Sequence, residues 1–228
     1  MTEISDRERH SFIKDGAQHL RAGVTAHLAQ LHSIFSDLPE GHAGVRLNGL
    51  EKLKPLLSNN GPIGSIAAHI LGQTCRPVRA IMFDNTTEAN WSLAWHQDRT
   101  ICVRLRIEIA EFGPWTTKAG MQHVEPPFDL IARMLTLRVH LDDVSANNAS
   151  LLIALGSHRR GRVPIDMIDA VVHQSGIRKC FAEAGDVWLY STPILHASDR
   201  AKNPSRRRVL QVDFSADSLP GCLEWLGV

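Results

Sequence analysis

The stretch Ile101-Cys102-Val103-Arg104-Leu105-Arg106-Ile107-Glu108-Ile109 alternates apolar and polar side chains along its whole length. On a strand, successive side chains point to opposite faces. Ile101, Val103, Leu105, Ile107 and Ile109 would then share a buried face while Arg104, Arg106 and Glu108 meet water, which predicts a half-buried strand over 101–109. Further short β-rich runs lie at 78–83, 134–141, 151–155, 186–190 and 208–214, separated by clusters of Gly, Pro, Asn and Asp. Runs of this length and spacing predict a mainly β core. Arg138-Val139-His140-Leu141 alternates in the same way, as a strand with one face on a polar cavity would.

Towards the N-terminus the period changes. Over 11–38 the apolar residues Phe12, Ile13, Leu20, Val24, Leu28, Leu31 and Phe35 recur mostly at three- and four-residue steps, the pattern of an amphipathic helix. Pro39, Gly41, Gly44 and Gly49 break it, and two shorter helices are expected over 50–57 and 63–71, separated by Ser58-Asn59-Asn60-Gly61-Pro62. Residues 163–172 and 217–226 read as short helical or irregular pieces. A chain of 228 residues fits a single domain. The expected organisation is a helical N-terminal support over 1–75, a β core over 76–216 and a C-terminal tail over 217–228.

Composition narrows the function. With 43% hydrophobic and 21% charged residues, the chain is an ordinary globular one, which excludes disordered and low-complexity scaffolds. A formal net charge of +1 supplies no field for nucleic acid or an anionic membrane. Arg159-Arg160-Gly161-Arg162 and Arg206, Arg207 and Arg208 are local basic patches without an extended aromatic-rich stripe, so no nucleic-acid partner is expected. Cys75, Cys102, Cys180 and Cys222 are widely spaced and form no C-x-x-C pair, and they read as reduced core thiols. The charged start leads into no long apolar stretch; no signal peptide or membrane span is expected, and the location read from this is cytoplasmic.

Chemistry concentrates at Trp95-His96-Gln97-Asp98. An imidazole and a carboxylate two residues apart on a strand point to the same side and can bind one ion. A third ligand would complete a two-His, one-carboxylate facial triad with open positions on ferrous iron. His196 is the natural candidate, following Val187-Trp188-Leu189-Tyr190 and the turn Ser191-Thr192-Pro193. H-x-D alone is weak: with 12 histidines, chance supplies roughly one copy, and a second copy stands at His140-Leu141-Asp142. The context that strengthens the first copy is Arg207, placed after His196 at the start of an apolar run. Its planar fork suits the far carboxylate of a small dicarboxylic acid that chelates iron through a 2-oxo acid end. Ser198 is placed to donate a second hydrogen bond.

Taken together, His96-Gln97-Asp98, Gly156-Ser157-His158, Gly185-Asp186, His196-Ala197-Ser198, Asn203 and Arg207 occur in the order of the phytanoyl-CoA dioxygenase family of Fe(II)/2-oxoglutarate oxygenases, which this sequence resembles from about Arg79 to Phe214. The resemblance implies a double-stranded β-helix, a jelly-roll or cupin-like barrel, preceded by N-terminal helices. It implies His96, Asp98 and His196 as metal ligands and Arg207 with Ser198 as the 2-oxoglutarate clamp. Arg138 resembles a position that lines the cosubstrate pocket. His140 would end a strand before the family's turn and is a weak substrate candidate, with Asn90, Trp95 and Trp115. The tryptophans read equally well as core anchors.

Two positions depart from the family pattern. Ala149 stands where glycine is common, and Leu155 stands where proline usually precedes Gly156-Ser157-His158; both bear on turn geometry, not on ligands. Asp98 retains the carboxylate that related halogenases replace by a small residue, which favours hydroxylation over chlorination. The resemblance implies Fe(II), 2-oxoglutarate and O2 as reactants, with hydroxylation of an unactivated C–H bond of a small-molecule metabolite and release of succinate and CO2. A non-catalytic small-molecule-binding barrel and a zinc-dependent hydrolase are the alternative readings, the latter without a HExxH helix. Nothing in the sequence sets the oligomeric state.

Overall fold

The computed structural model describes residues 6–38, 44–86, 92–146, 148–201 and 205–228. In chain order the strands are β1 (Ala17–Leu20), β2 (Val45–Leu47), β3 (Arg76–Asn85), β4 (Leu93–His96), β5 (Ile101–Val103), β6 (Trp115–Lys118), β7 (Met121–Val124), β8 (Leu135–His140), β9 (Leu151–Ala154), β10 (Ile177–Cys180), β11 (Val187–Ser191), β12 (His196–Ser198) and β13 (Arg207–Ser215). The helices are α1 (Asp6–Asp15), α2 (Leu28–Phe35), α3 (Lys54–Leu57), α4 (Gly64–Leu71), α5 (Phe128–Ala132) and α6 (Ile168–Gln174). Antiparallel pairing builds a six-stranded sheet β1-β11-β8-β13-β3-β2, a four-stranded sheet β10-β9-β12-β4 and a three-stranded sheet β5-β7-β6. The fold is a jelly-roll barrel of mainly antiparallel β-structure with flanking helices.

Period-two alternation decides what each face of the large sheet does. Leu135, Leu137 and Val139 of β8, Val187 and Leu189 of β11, Leu210, Val212 and Phe214 of β13 and Ala80 and Met82 of β3 point outward. They pack with Leu31, Leu53, Leu57, Ile63 and Ile66 of the helical layer in the largest apolar core. Full burial of one such side chain contributes about 1.5–3 kcal/mol, so this face holds the helices on the barrel. The opposite parity is polar: Arg79, Thr136, Arg138, His140, Arg207, Gln211 and Asp213 point inward. On the side of β1, β9, β10 and β11 the barrel is closed by Ala17, Leu151, Ile153, Trp188, Tyr190 and Ile194, which leaves the polar cavity beside β3, β4, β12 and β13.

The expected long helix over 11–38 is interrupted. Gly16 takes a left-handed φ of 76°, its N–H donates to the Phe12 carbonyl at 2.7 Å, and the His158 ring occupies the place a Cβ would need. After it, residues 17–20 leave the helical path to pair with β11, Ala17 opposite Tyr190 and Leu20 opposite Val187. Edge pairing with a buried sheet outweighs local helical periodicity here. β2 joins the opposite edge of the same sheet, so the segment 1–75 is not a helical support alone; it supplies both edge strands.

The strand over 101–109 is also shorter than its alternation predicts. Only Ile101–Val103 pairs with β7, Ile101 opposite Val124 and Val103 opposite Gln122. Beyond Val103 the C-terminal tail takes over: Arg104 N–H donates to the Glu224 carbonyl and Leu226 N–H to the Cys102 carbonyl, with a bridge between Val103 and Trp225. Residues 105–109 have no strand partner among the described residues, and Leu105 is exposed. Cys75, Cys102 and Cys180 are buried free thiols, whereas Cys222 lies at the surface. No helix among the described residues is long and apolar enough to cross a membrane.

Candidate metal centre

β4 and β12 are antiparallel neighbours, and their register sets His96 directly opposite His196. Directly opposed residues bring their Cβ atoms to about 4.5–5.5 Å, and the two rings lie 4.2 Å apart between centroids. Asp98 follows at the end of β4, and one ligand atom from each of His96, Asp98 and His196 falls within 4.8 Å of the others. Each imidazole is oriented by its own backbone. The His96 Nδ1–H donates to the Ala94 carbonyl at 2.8 Å and the His196 Nδ1–H to the Ile194 carbonyl at 2.9 Å, which leaves both Nε2 lone pairs free to face one ion.

The charge states suit a cation. Burial lowers His196 to about 4 against the pull of Asp98, so its ring is neutral near pH 7. Burial pushes the Asp98 carboxyl up, but the Arg79 guanidinium and the two imidazoles outweigh this and hold it below its ordinary value. Arg79 Nη2 donates to Asp98 Oδ2 at 3.1 Å, and its Nε donates to Asp213 Oδ2. Asp213 Oδ1 in turn accepts from Thr136 Oγ1 at 2.9 Å.

Two further side chains fix the ligand-bearing turns. Gln97, between His96 and Asp98 and of opposite parity, donates through Nε2 to the Pro193 carbonyl at 2.8 Å and accepts from Val163 N–H at 2.9 Å. Ser157 Oγ accepts from Leu195 N–H at 2.9 Å, tying the Gly156 turn to the residue before His196.

Opposite the triad, the inner parity of β8 and β13 presents guanidinium groups. Arg207 is 4% exposed and Arg138 7%. Arg138 Nη1 donates to Gln211 Oε1 at 2.8 Å, and Arg207 Nη1 donates to the Ala149 carbonyl. Neither arginine has a carboxylate partner among the described residues, and the Nε of each is buried without an acceptor. Burial and the neighbouring Arg138 lower Arg207 to about 10, so it remains charged near neutrality. His140, 3% exposed, has both ring nitrogens unpartnered; burial, with Arg138 and Arg207 beside it, lowers it to about 3. An unmet buried polar group costs about 1–3 kcal/mol, and a charged one more. This cluster of buried donors therefore fits an anion.

The triad, Arg138, Arg207 and Ser198 line one cavity of about 450 Å³. Arg206 and Arg208 do not, because the intervening parity turns them outward to Asp84 and Asp142. Trp95 and Trp115 are also absent from its wall. Trp95 packs on the apolar cluster of Val163, Ile168 and Leu195, and Trp115 packs with Ile101, Val103 and Val124, as core anchors would. Asn90, like Asn203, lies outside the described residues. Arg79, Asp213, Thr136, Gln211 and Gln97 were not singled out from the sequence. A carboxylate at the inward parity of Val209, Gln211 and Asp213 was the available signal, because a buried acid requires a partner.

A family model described as phytanoyl-CoA dioxygenase (PhyH) matches residues 55–209, more than half of the chain. Solved structures similar to it include the non-heme alpha-ketoglutarate-dependent epimerase SnoN from nogalamycin biosynthesis, at 15% identity over 95% of this chain and 90% of that one, with a TM-score of 0.66. HygX from Streptomyces hygroscopicus, with nickel and 2-oxoglutarate bound, shares 13% identity over 93% and 87% of the two chains, with a TM-score of 0.64. EctD from S. alaskensis in its apo form shares 15% over 93% and 77%, with a TM-score of 0.67. At these identities the likeness is one of fold. No curated protein matches the chain in sequence.

Proposed function

The chain belongs to the phytanoyl-CoA dioxygenase family, and from that premise we propose that it is an Fe(II)/2-oxoglutarate-dependent dioxygenase hydroxylating an unactivated C–H bond of a small molecule. The observation that carries the reading is the pairing of two features in one cavity. The His96, Asp98 and His196 side-chain atoms converge within 4.8 Å, and two buried guanidinium groups opposite them have no carboxylate partner among the described residues.

The residues present fit both absent groups. His96 Nε2, His196 Nε2 and an Asp98 oxygen would hold the metal on one face, the facial arrangement that leaves positions open. Arg207 and Arg138 would receive the distal carboxylate of 2-oxoglutarate, with the Ser198 hydroxyl beside them. Together, Fe(II), 2-oxoglutarate and O2 supply the oxidising chemistry, with succinate and CO2 as co-products.

The chain's own part is placement. Arg79 keeps Asp98 ionised and aimed, the Ala94 and Ile194 carbonyls fix the two rings, and Gln97 and Ser157 hold the turns that carry them. Ile81, Phe83, Leu93 and Leu151 contribute apolar walls to the same cavity, which restrict water around a reacting C–H bond. A cavity of about 450 Å³ suits a small-molecule substrate. A zinc hydrolase would need a general base near the metal. Asp213, which shares Arg79 with Asp98, is engaged by Arg79 and Thr136.

Anaerobic titration with Fe(II) and 2-oxoglutarate tests the reading. The expected result is the weak visible charge-transfer band of the chelate; a chain that binds Zn(II) as well and gives no band would refute it. Succinate release above the uncoupled background, screened over metabolite pools, then identifies the substrate.

A further inference from the structure

The cavity carries more positive charge than this reaction uses. Arg46, Arg79, Arg99, Lys118, Arg138 and Arg207 all line it. Arg79 is neutralised by Asp98 and Asp213, and Arg138 and Arg207 are assigned to the cosubstrate. Arg46, Arg99 and Lys118 remain, with no carboxylate partner among the described residues. On the outer surface the pattern is the reverse: Arg104, Arg106, Arg133 and Arg162 each meet an acidic side chain. A divalent metal and a dianionic cosubstrate cancel one another's charge, so loading the site does not balance these three cations.

Their placement is specific. Arg46 of β2 stands opposite Ile81 of β3, Ile81 opposite Gln211 of β13, and Gln211 opposite Arg138 of β8. Arg46 and Arg138 thus end one inward-facing row, three strand spacings or about 14 Å apart. Arg46 Nε is buried without an acceptor. Lys118 ends β6 of the three-stranded sheet and lines the same cavity as Arg46. Arg99 follows Asp98 directly and donates to the Val163 carbonyl. Arg46 and Arg99 are half-buried and Lys118 is exposed; cations gathered along one cavity wall repel one another, and an anion is the partner that relieves them.

We propose that the wall formed by Arg46 and Lys118, with Arg99 at its rim, is a second anion site that seats a carboxylate or phosphate group of the prime substrate. The inference rests on the oxygenase reading for the identity of that substrate, but not for the existence of the site.

The test is calorimetric titration of the full chain with sodium sulfate, and separately with sodium acetate, under anaerobic conditions with Fe(II) and saturating 2-oxoglutarate. Ionic strength is held constant with chloride, because exposed charges are screened, and the charge-transfer band is recorded on the same samples. At least one anion is expected to bind while the band persists. Combining Arg46→Ala with Lys118→Ala should weaken that binding by about tenfold or more, while the affinity for 2-oxoglutarate changes by less than about twofold. Preference for sulfate points to a phosphate-bearing substrate and preference for acetate to a carboxylic acid.

Unchanged anion affinity in the double variant overturns the site, as does anion binding that disappears once 2-oxoglutarate is added. Loss of the band in the double variant is checked with Arg46→Gln plus Lys118→Gln, which removes the charge but keeps a polar side chain longer than alanine, and a tenfold loss there with the band intact supports the site equally. If the native chain gives no band but binds the anion through Arg46 and Lys118, the oxygenase reading fails and the anion site stands.

Discussion

Replacing Arg79 by glutamine separates two roles of one side chain. Arg79 Nη2 reaches Asp98 Oδ2 at 3.1 Å and its Nε reaches Asp213 Oδ2 at 2.5 Å, and the Asp213 side chain is 2% exposed. Breaking a buried ion pair from one side typically costs about 3–5 kcal/mol, because the surviving charge is left without a partner. In a domain of this size about 1 kcal/mol shifts the melting temperature by roughly 2–4 °C, so the metal-free variant should melt roughly 6–20 °C lower. Independently, loss of the group that orients a metal ligand lowers metal affinity by about 10–100-fold, or about 1.4–2.8 kcal/mol. Arg79→Lys should recover part of the stability and little of the affinity, since a point charge cannot span two carboxylates as a fork does. Thermal melting of the metal-free chain and competition for Fe(II) against a chelator read the two effects apart. An unchanged melting temperature would refute the buried pairing. A large fall in melting temperature with unchanged Fe(II) affinity would refute the claim that Asp98 is positioned through Arg79.

His96→Ala, Asp98→Ala and His196→Ala should each abolish iron-dependent succinate formation, while His140→Ala keeps Fe(II) binding; metal content and turnover decide, and loss of iron only in His140→Ala would reverse the choice between the two H-x-D copies. Arg207→Ala should weaken 2-oxoglutarate by about 2–5 kcal/mol, roughly 30-fold or more. Arg206→Ala and Arg208→Ala should change it far less, and the apparent 2-oxoglutarate constants of the three variants test this. Ala149 has a left-handed φ of 48°, which costs an L-residue about 1–2 kcal/mol; Ala149→Gly should therefore melt higher, and a lower melting temperature would contradict the strain. Asp186 accepts hydrogen bonds from Ala22 N–H at 2.7 Å, Glu183 N–H at 2.9 Å and His19 Nε2 at 2.8 Å. Burial pushes the Asp186 carboxyl up, but these bonds outweigh it and hold it below its ordinary value. Its stabilising share is then complete above the ordinary carboxylate range and is lost as pH falls through the depressed value. Asp186→Asn should flatten the acid limb of a stability–pH curve, and an unchanged limb would show that the bonds do not favour the charged form.

How far the sequence could be read depended on whether a partner strand was implied by the pattern itself. The runs at 134–141, 186–190 and 208–214 form the middle of the large sheet, where partners on both sides enforce the alternation that makes them legible. The same alternation at 101–109 misleads, because beyond Val103 the tail near Glu224 takes the place of a partner strand among the described residues. β1 and β2 are four- and three-residue edge strands, too short for any period to register, and β1 sits inside a helical pattern. That His96, Asp98, His196 and Arg207 would gather in one cavity was legible because spacing and order constrain them. Arg79 and Asp213 were not, because their significance lies in facing each other across β3 and β13, a relation no local window contains.

The three consecutive arginines at the start of β13 pose a question of frame. A slip of β13 by one residue would still offer an arginine to the cavity, Arg206 or Arg208 in place of Arg207, so the proposed cosubstrate clamp alone cannot choose the alignment. The choice is made on the solvent side. Asp142 accepts from the Arg208 backbone N–H and from its Nε and Nη2 at 2.7–2.9 Å, while Asp84 takes both Nε and Nη2 of Arg206. In a slipped frame these acids would lose their forks, and Leu210, Val212 and Phe214 would turn from the helical layer into the polar interior. The acidic pair outside the barrel therefore acts as a proofreading device for a cavity that neither residue touches, and a one-residue insertion or deletion within 208–212 would take the proposed clamp out of register while leaving every candidate site residue in the sequence.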